Sequence, residues 1–356
     1  MIDKLVGCLL APWQKIEMLR TYIIPSILYC LASGYCRKDY LTSLDANINN
    51  ALRRILDLPD TCSTAFFHAS RSVGGLAVPL LSRESDVWVI ARAVRLLCSD
   101  DPSICDIAHG QVAAVLTSAG IDPSTFNKNA YLSGSQHNQM AALRHSPSLL
   151  TLWSRARSAS ARLGVTVDLS TQPCISVDEI TATPAGMVRG LHMAIRARYS
   201  KSFANQSQQG IVAKASSHDG ASRSDIARII STRTPLSFNS YNLFFMSRLS
   251  LLPSHGRAGA KGVTKCRSCS FSHETTAHIV AGCQSHMTIV RQRHNNIIDL
   301  LKSHLRQGFS VTEEPIIAGL KPDLLIEDPD GQLAVVEVTC PWDGNIDVAF
   351  NTKEEQ

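Results

Sequence analysis

Residues 266–283 read CRSCSFSHETTAHIVAGC, and this stretch decides how the rest of the chain is read. Cys266, Cys269, His278 and Cys283 follow a C-x2-C-x8-H-x4-C spacing. Zn2+ is held by four thiolate or imidazole donors at the corners of a tetrahedron. The C-x2-C pair offers two thiolates from one tight turn. His278 and Cys283 offer two more donors from the next helical turn. Four protein ligands leave no open coordination position, so the spacing predicts a structural zinc site that contributes to local folding. His273 and His286 are competing donors, with His278 preferred. The small zinc knuckle is expected to occupy residues 256–285.

Working outward, residues 321–339 read KPDLLIEDPDGQLAVVEVT. Here the apolar period changes from 3.6 to 2, which predicts strands at 316–318, 323–327 and 332–339. Asp328-Pro329-Asp330-Gly331 is a strong turn signal between the last two. A hairpin closed there brings Asp323 and Glu337 nearly opposite each other. An acid inside an apolar run is costly unless it has a partner or a metal. Paired carboxylates supply the oxygen ligands that Mg2+ prefers, and a nearby lysine stabilises charge at a scissile phosphate. Thr339 stands where such a lysine is expected, and Lys353 on the following helix is the substitute. The competing reading is a surface hairpin whose acids cap turns.

The net charge of +5 over 356 residues hides a strong asymmetry. Residues 1–186 hold 16 basic and 15 acidic side chains, residues 187–306 hold 17 and 4, and residues 307–356 hold 2 and 11. A basic middle segment of this strength is the footprint of a phosphate-contacting surface. An acidic segment beside it fits a nucleic-acid binder when the acids hold metal ions. The chain is 44% hydrophobic and 18% charged, as expected of a core-forming protein rather than a disordered one. It carries no uninterrupted apolar run long enough to cross a membrane, and its start is a poor secretory signal. The eleven cysteines then read as reduced thiols rather than a disulfide framework.

The front of the chain is helical by pattern. Residues 15–35 form a helix with a break at Pro25. Residues 40–58 space Leu41, Leu44, Ile48, Leu52, Ile55 and Leu56 along one face, and Pro59 stops the helix. A further helix is expected over 82–99. Residues 100–186 read as a helical connector broken by Pro102, Gly120, Pro123, Gly134, Pro147, Pro173 and Pro184. Residues 205–224 read as a flexible loop. Helices are expected at 238–252, at 286–306 and from 344 onward. His255 and His294 read as ordinary surface or packed histidines.

Taken together these segments resemble the C-terminal part of the polyprotein of site-specific non-LTR retrotransposons that carry a restriction-enzyme-like endonuclease. The early segments QKIEMLRTYIIPSILYCL, LDANINNALRRILDLP and GGLAVP resemble the thumb that follows the reverse-transcriptase palm. FFMSRLSLLPSHGR, then CRSC with His278 and Cys283, then RQRHNNII resemble the family's zinc knuckle and the helix after it. KPD with Glu337 in VVEVTCPWD resembles the endonuclease core, with the PD-(D/E)xK spacing of restriction-type nucleases. The resemblance implies a multidomain chain: a mostly α-helical front and middle, a small zinc knuckle, and a partial restriction-endonuclease-like α/β core. Its expected segments are 1–99 (thumb-like), 100–255 (helical connector with a basic second half), 256–285 (knuckle) and 286–356 (partial nuclease).

The resemblance further implies that Asp323, Glu337 and Lys353 are catalytic, with Mg2+ on the two acids and structural Zn2+ in the knuckle. The implied partners are target DNA and element RNA, with no membrane, and the implied location is the nucleus. The implied activity is nicking of target DNA for target-primed reverse transcription. No Tyr-x-Asp-Asp motif is present, and Asp100-Asp101 reads as a helix end, so copying is expected to need a palm outside this sequence. The nuclease core is expected to continue past Gln356. The alternative is a non-catalytic zinc-containing protein that binds nucleic acid.

Overall fold

The computed structural model describes residues 1–118, 121–122, 127–134, 151–216, 229–230, 236–256, 261–305 and 308–354. The breaks expected at Gly120, Pro123 and Pro147, residues 217–224 of the expected loop, and residues 257–260 lie outside these. The described chain is mostly helical, with two small antiparallel sheets. It divides into two compact units, the first built mainly on Met1–Asp57 and Ser63–Phe203, the second mainly on Leu236–Gln356.

The first unit contains α1 (Ile2–Gly7), α2 (Pro12–Met18), α3 (Ile24–Ser33), α4 (Lys38–Ile55), α5 (Thr64–His68) and α6 (Leu81–Leu97). These are followed by α7 (Pro102–Ser118), α8 (Lys128–Leu132), α9 (Leu152–Leu163) and α10 (Met187–Ala204). The break expected at Pro25 takes the form of a π-helical turn, Leu19–Ile23, with Pro25 in the first turn of α3. The chain stays helical through this turn, whose wider i→i+5 pattern accommodates the proline. Leu41, Ile48, Leu52 and Ile55 of α4 are buried along one face, as their spacing predicts.

The connector expected to be helical also holds a sheet. Strands β1 (Val165–Asp168), β2 (Cys174–Val177) and β3 (Ile180–Ala182) pair antiparallel in that order. Val165, Val167, Ile175 and Val177 alternate into the core. These strands are three or four residues long and no Asp-Pro-Asp-Gly turn marks them, so the sequence pattern gives no sign of them. Their apolar face joins Trp153, Tyr131, Val112 and Leu116 in one cluster with Ile90 and Val94 of α6 and Leu191 of α10. Residues on both sides of position 100 therefore pack around one core.

The first turn of α6 is capped from a distance. Leu80, at the N-cap position, has no side chain to satisfy the orphan amides. Asp45 of α4, buried at 5% exposure, does so instead. Its Oδ1 accepts from the Leu81 amide at 2.7 Å and its Oδ2 from the Ser82 amide at 3.1 Å.

The second unit contains α11 (Ile211–Ala215), α12 (Phe238–Arg248), α13 (Met287–His304) and α14 (Ile346–Glu354). Helix α11 falls where a loop was expected. Val212 and Ala213 bury, and the backbone at Gly344 comes close to Ile211. The second sheet has the order β4 (Ser310–Glu313), β5 (Leu324–Glu327), β6 (Leu333–Val336), all antiparallel. The strand expected at 316–318 is absent. Those residues form a tight turn in which Ile317 and Leu320 exchange hydrogen bonds, with Ala318 at φ 52° and Gly319 at φ 86°. Pro315 precedes this turn, and the first strand lies upstream of it. The turn at 328–331 forms as its residues predict, with the Gly331 amide donating to the Asp328 carbonyl at 3.0 Å and Gly331 at φ 78°.

Replacing Asp45 by Ala strands two amides at the start of α6. The variant is expected to lose about 1–3 kcal/mol of stability in denaturant melts. Asp45→Asn, which keeps one acceptor oxygen, should lose less. An unchanged midpoint for Asp45→Ala would contradict the long-range cap.

Candidate functional site

The knuckle is built on a turn closed by the Cys266 amide donating to the Phe271 carbonyl at 3.0 Å. His278 opens a π-helical turn, His278–Gly282, and Cys283 follows it. The ligand atoms of Cys266, Cys269, His278 and Cys283 all lie within 4.8 Å of one another. The Cys266 and Cys283 sulfurs are 3.9 Å apart, and the Cys269 sulfur is 3.2 Å from His278 Nε2. A tetrahedral ion with Zn–S bonds of about 2.3 Å spaces its sulfurs about 3.8 Å apart. The donor set therefore fits Zn2+. Among the described residues, no other group of three or more His, Cys, Asp or Glu converges this closely. His273 is exposed and His286 Nδ1 lies 3.3 Å from the Ile279 carbonyl oxygen, so neither competitor joins the cluster.

Local chemistry prepares the ligands. The Ser268 amide bonds the Cys266 sulfur and pulls that thiol below its ordinary value, while burial pushes Cys283 up. Phe271 stacks on the His278 ring, 4.5 Å between centroids and 8° between planes, which fixes the imidazole. Glu274, 2% exposed, organises the loop. Its carboxylate accepts from the amides of His255 at 2.7 Å and Arg267 at 3.0 Å, and from Arg267 Nε at 2.9 Å. The Arg267 guanidinium is the main reason its pKa falls from the ordinary 4.5 to about 2.

In the second sheet the ladder pairs Leu324 with Val336, which sets Asp323 directly across from Glu337, one step beyond the last pair. Residues opposed on antiparallel strands share a face. The Asp323 amide donates to Glu337 Oε2 at 3.0 Å, and the Val338 amide donates to Asp323 Oδ2 at 2.7 Å. Lys353 of α14 pairs with Glu337 Oε1. The three residues named from the sequence are thus linked through Glu337. Glu337 is exposed, however, and Leu333 and Val335 of β6 are 65% and 60% exposed. An apolar run in sequence did not become a buried strand, so burial does not force a partner on Glu337. A cleft of about 340 Å3 lies beside it, walled by Ile317, Leu320, Pro322 and Val335 and also lined by Lys321 and Lys353.

Sequence reading missed His294. It lies on α13, with Nε2 3.3 Å from Asp323 Oδ2. Burial opposes its protonation, but Asn295 and Asp323 outweigh this and hold its pKa above the ordinary imidazole value. Helical spacing gave no signal for this contact, because it spans 29 positions. Glu274 was missed as well. The available hint was an acid inside the knuckle loop with an arginine between the first two cysteines.

No protein-family model matches the chain. Curated relatives do. The Retrovirus-related Pol polyprotein from type-2 retrotransposable element R2DM of Drosophila melanogaster is 36% identical over 80 residues, 22% of this chain and 8% of that protein. A Pol polyprotein from type-1 retrotransposable element R2 of Popillia japonica is 35% identical over 92 residues, 26% of this chain and 20% of that protein. Another from the same organism is 22% identical over 342 residues, 94% of this chain and 45% of that protein. The chain is similar to R2 retrotransposon Pol polyproteins. It spans less than half the length of each relative it matches. Among the described residues, no helix is long and apolar enough to cross a membrane.

Two outcomes test the knuckle. Cys283→Ser should weaken zinc binding, read as faster zinc release to a chromophoric chelator, and release at the wild-type rate would remove Cys283 from the ligand set. Glu274 has a folded pKa below its unfolded one. Its contribution to stability is therefore complete above about pH 4.5 and is lost as pH falls towards 2. In metal-free protein, the amide resonances of His255 and Arg267 should titrate near pH 2, and a midpoint near 4.5 would contradict the Arg267 bond.

Proposed function

We propose that this chain is part of a retrotransposon reverse transcriptase/endonuclease polyprotein that binds nucleic acid and contributes to metal-dependent nicking of target DNA for target-primed reverse transcription. The observation that carries the reading is the cross-strand placement of Asp323 opposite Glu337, with Lys353 on Glu337. The similarity to R2 Pol polyproteins supports the nucleic-acid context. Within it, residues 1–99 act as a thumb-like region, 100–255 as a connector, 256–285 as the knuckle and 286–356 as a partial restriction-like nuclease. Target DNA and element RNA are the partners, and the nucleus is the place of action.

In this reading Asp323 and Glu337 hold Mg2+, which would polarise the scissile phosphate and lower the pKa of the attacking water. Lys353 shifts from Glu337 towards the phosphate and stabilises its developing charge. The knuckle and the basic segment 187–306 grip the phosphate backbone, so binding falls steeply with salt. His278 and the three cysteines hold the structural Zn2+ and take no part in the chemistry.

The test is nicking of supercoiled DNA in Mg2+. Within a polyprotein that carries the whole nuclease core, the chain should convert supercoiled to open-circular DNA, and Asp323→Ala there should lower the rate by at least about 100-fold, the scale of lost electrostatic stabilisation. Lys353→Ala should lower it less. Salt-sensitive binding without any cut, or an unchanged cut by Asp323→Ala, would favour a non-catalytic zinc-containing nucleic-acid-binding protein.

A further inference from the structure

Two consecutive residues of α13 reach towards different parts of the second unit. Arg293 Nη1 donates to the Val280 carbonyl at 3.4 Å, and its Nη2 donates to the Cys340 carbonyl at 2.9 Å. Val280 lies in the π-helical turn between the knuckle ligands His278 and Cys283. Cys340 lies three residues past Glu337 and two past Val338, whose amide bonds Asp323. The next residue of the helix, His294, contacts Asp323 itself. One guanidinium thus spans from the metal loop to the chain that leaves the carboxylate pair, and its neighbour bears on one of the two acids.

We propose that Arg293 is a positioning residue that couples zinc loading of the knuckle to the geometry of the Asp323–Glu337 pair. This rests on the reading of those carboxylates as a divalent-cation site. Closing Cys266, Cys269, His278 and Cys283 on Zn2+ immobilises the turn that presents the Val280 carbonyl. Arg293 carries that constraint to Cys340, and so to the amide at 338 that orients Asp323. Without zinc the Val280 end is released, and the two carboxylates lose their fixed spacing. A planar guanidinium can serve two carbonyls at once, which an ammonium on a flexible stem does poorly.

The experiment measures Mn2+ binding to the zinc-loaded chain by electron paramagnetic resonance. Mn2+ takes oxygen ligands in place of Mg2+, and the thiolate site discriminates against it. Arg293→Ala should keep its zinc and its circular dichroism but bind Mn2+ at least about tenfold more weakly, the scale of lost outer-shell support. Arg293→Lys should recover only part of the affinity. Wild-type Mn2+ affinity in Arg293→Ala, while Asp323→Ala abolishes binding, overturns the coupling alone. Unchanged binding in Asp323→Ala overturns the carboxylate reading and the coupling with it. Should Arg293→Ala fail to fold, hydrogen exchange on the wild-type chain decides. Stripping zinc should speed exchange in the peptide that carries Val338, and equal rates with and without zinc overturn the proposal.

Discussion

The pairing of Leu324 with Val336 fixes where Asp323 and Glu337 meet, and the candidate chemistry of the second unit depends on it. A strand has a side-chain period of two, so a slip of one residue would send the two acids to opposite faces. The turn at Asp328–Gly331 guards against that slip. Asp328 Oδ1 accepts from the amides of Asp330 at 2.9 Å and Gln332 at 2.8 Å, so the acid stabilises the corner that sets the register. Beyond the ladder the acids extend the pairing themselves, each accepting an amide from the opposite strand. Their charges meet Lys353 on one side and His294 on the other. A cation binding there would compete with both.

The knuckle solves a related problem by a different route. Val263 and Phe271 of its loop are exposed, and polar bonds hold its ligands ready. Glu274 supplies several of them by drawing His255 and Arg267 to one buried carboxylate. Burial of an acid is tolerated because it is paired and fully engaged by donors. Helix α13 begins just after the last ligand, and its first turns pass both the metal loop and the sheet. That proximity allows Arg293 to bond the metal loop and the chain beyond β6, and His294 to contact Asp323.

The legible parts of the chain were those with strong local signals. The C-x2-C pair with His278 and Cys283 gave the metal cluster, and the stripe of Leu41, Ile48, Leu52 and Ile55 gave α4. The Asp-Pro-Asp-Gly turn gave the β5–β6 hairpin. Three kinds of information were not local. The strands β1 to β4 are three or four residues long, as β5 and β6 are, but no Asp-Pro-Asp-Gly turn marks them. The exposure of Glu337 depends on what packs over β6, which alternation alone does not state. The contacts of Asp45, Glu274 and His294 join positions that only the folded chain brings together, and a single polar residue on a helix gives no sign of its distant partner.

The most direct measurement is a crystal of the zinc-loaded chain soaked in Mn2+, with anomalous scattering used to find the ion. The account predicts a peak about 2.2 Å from carboxylate oxygens of both Asp323 and Glu337, with the Lys353 ammonium displaced from Glu337. A map with no peak there, and Lys353 still seated on Glu337, would contradict it.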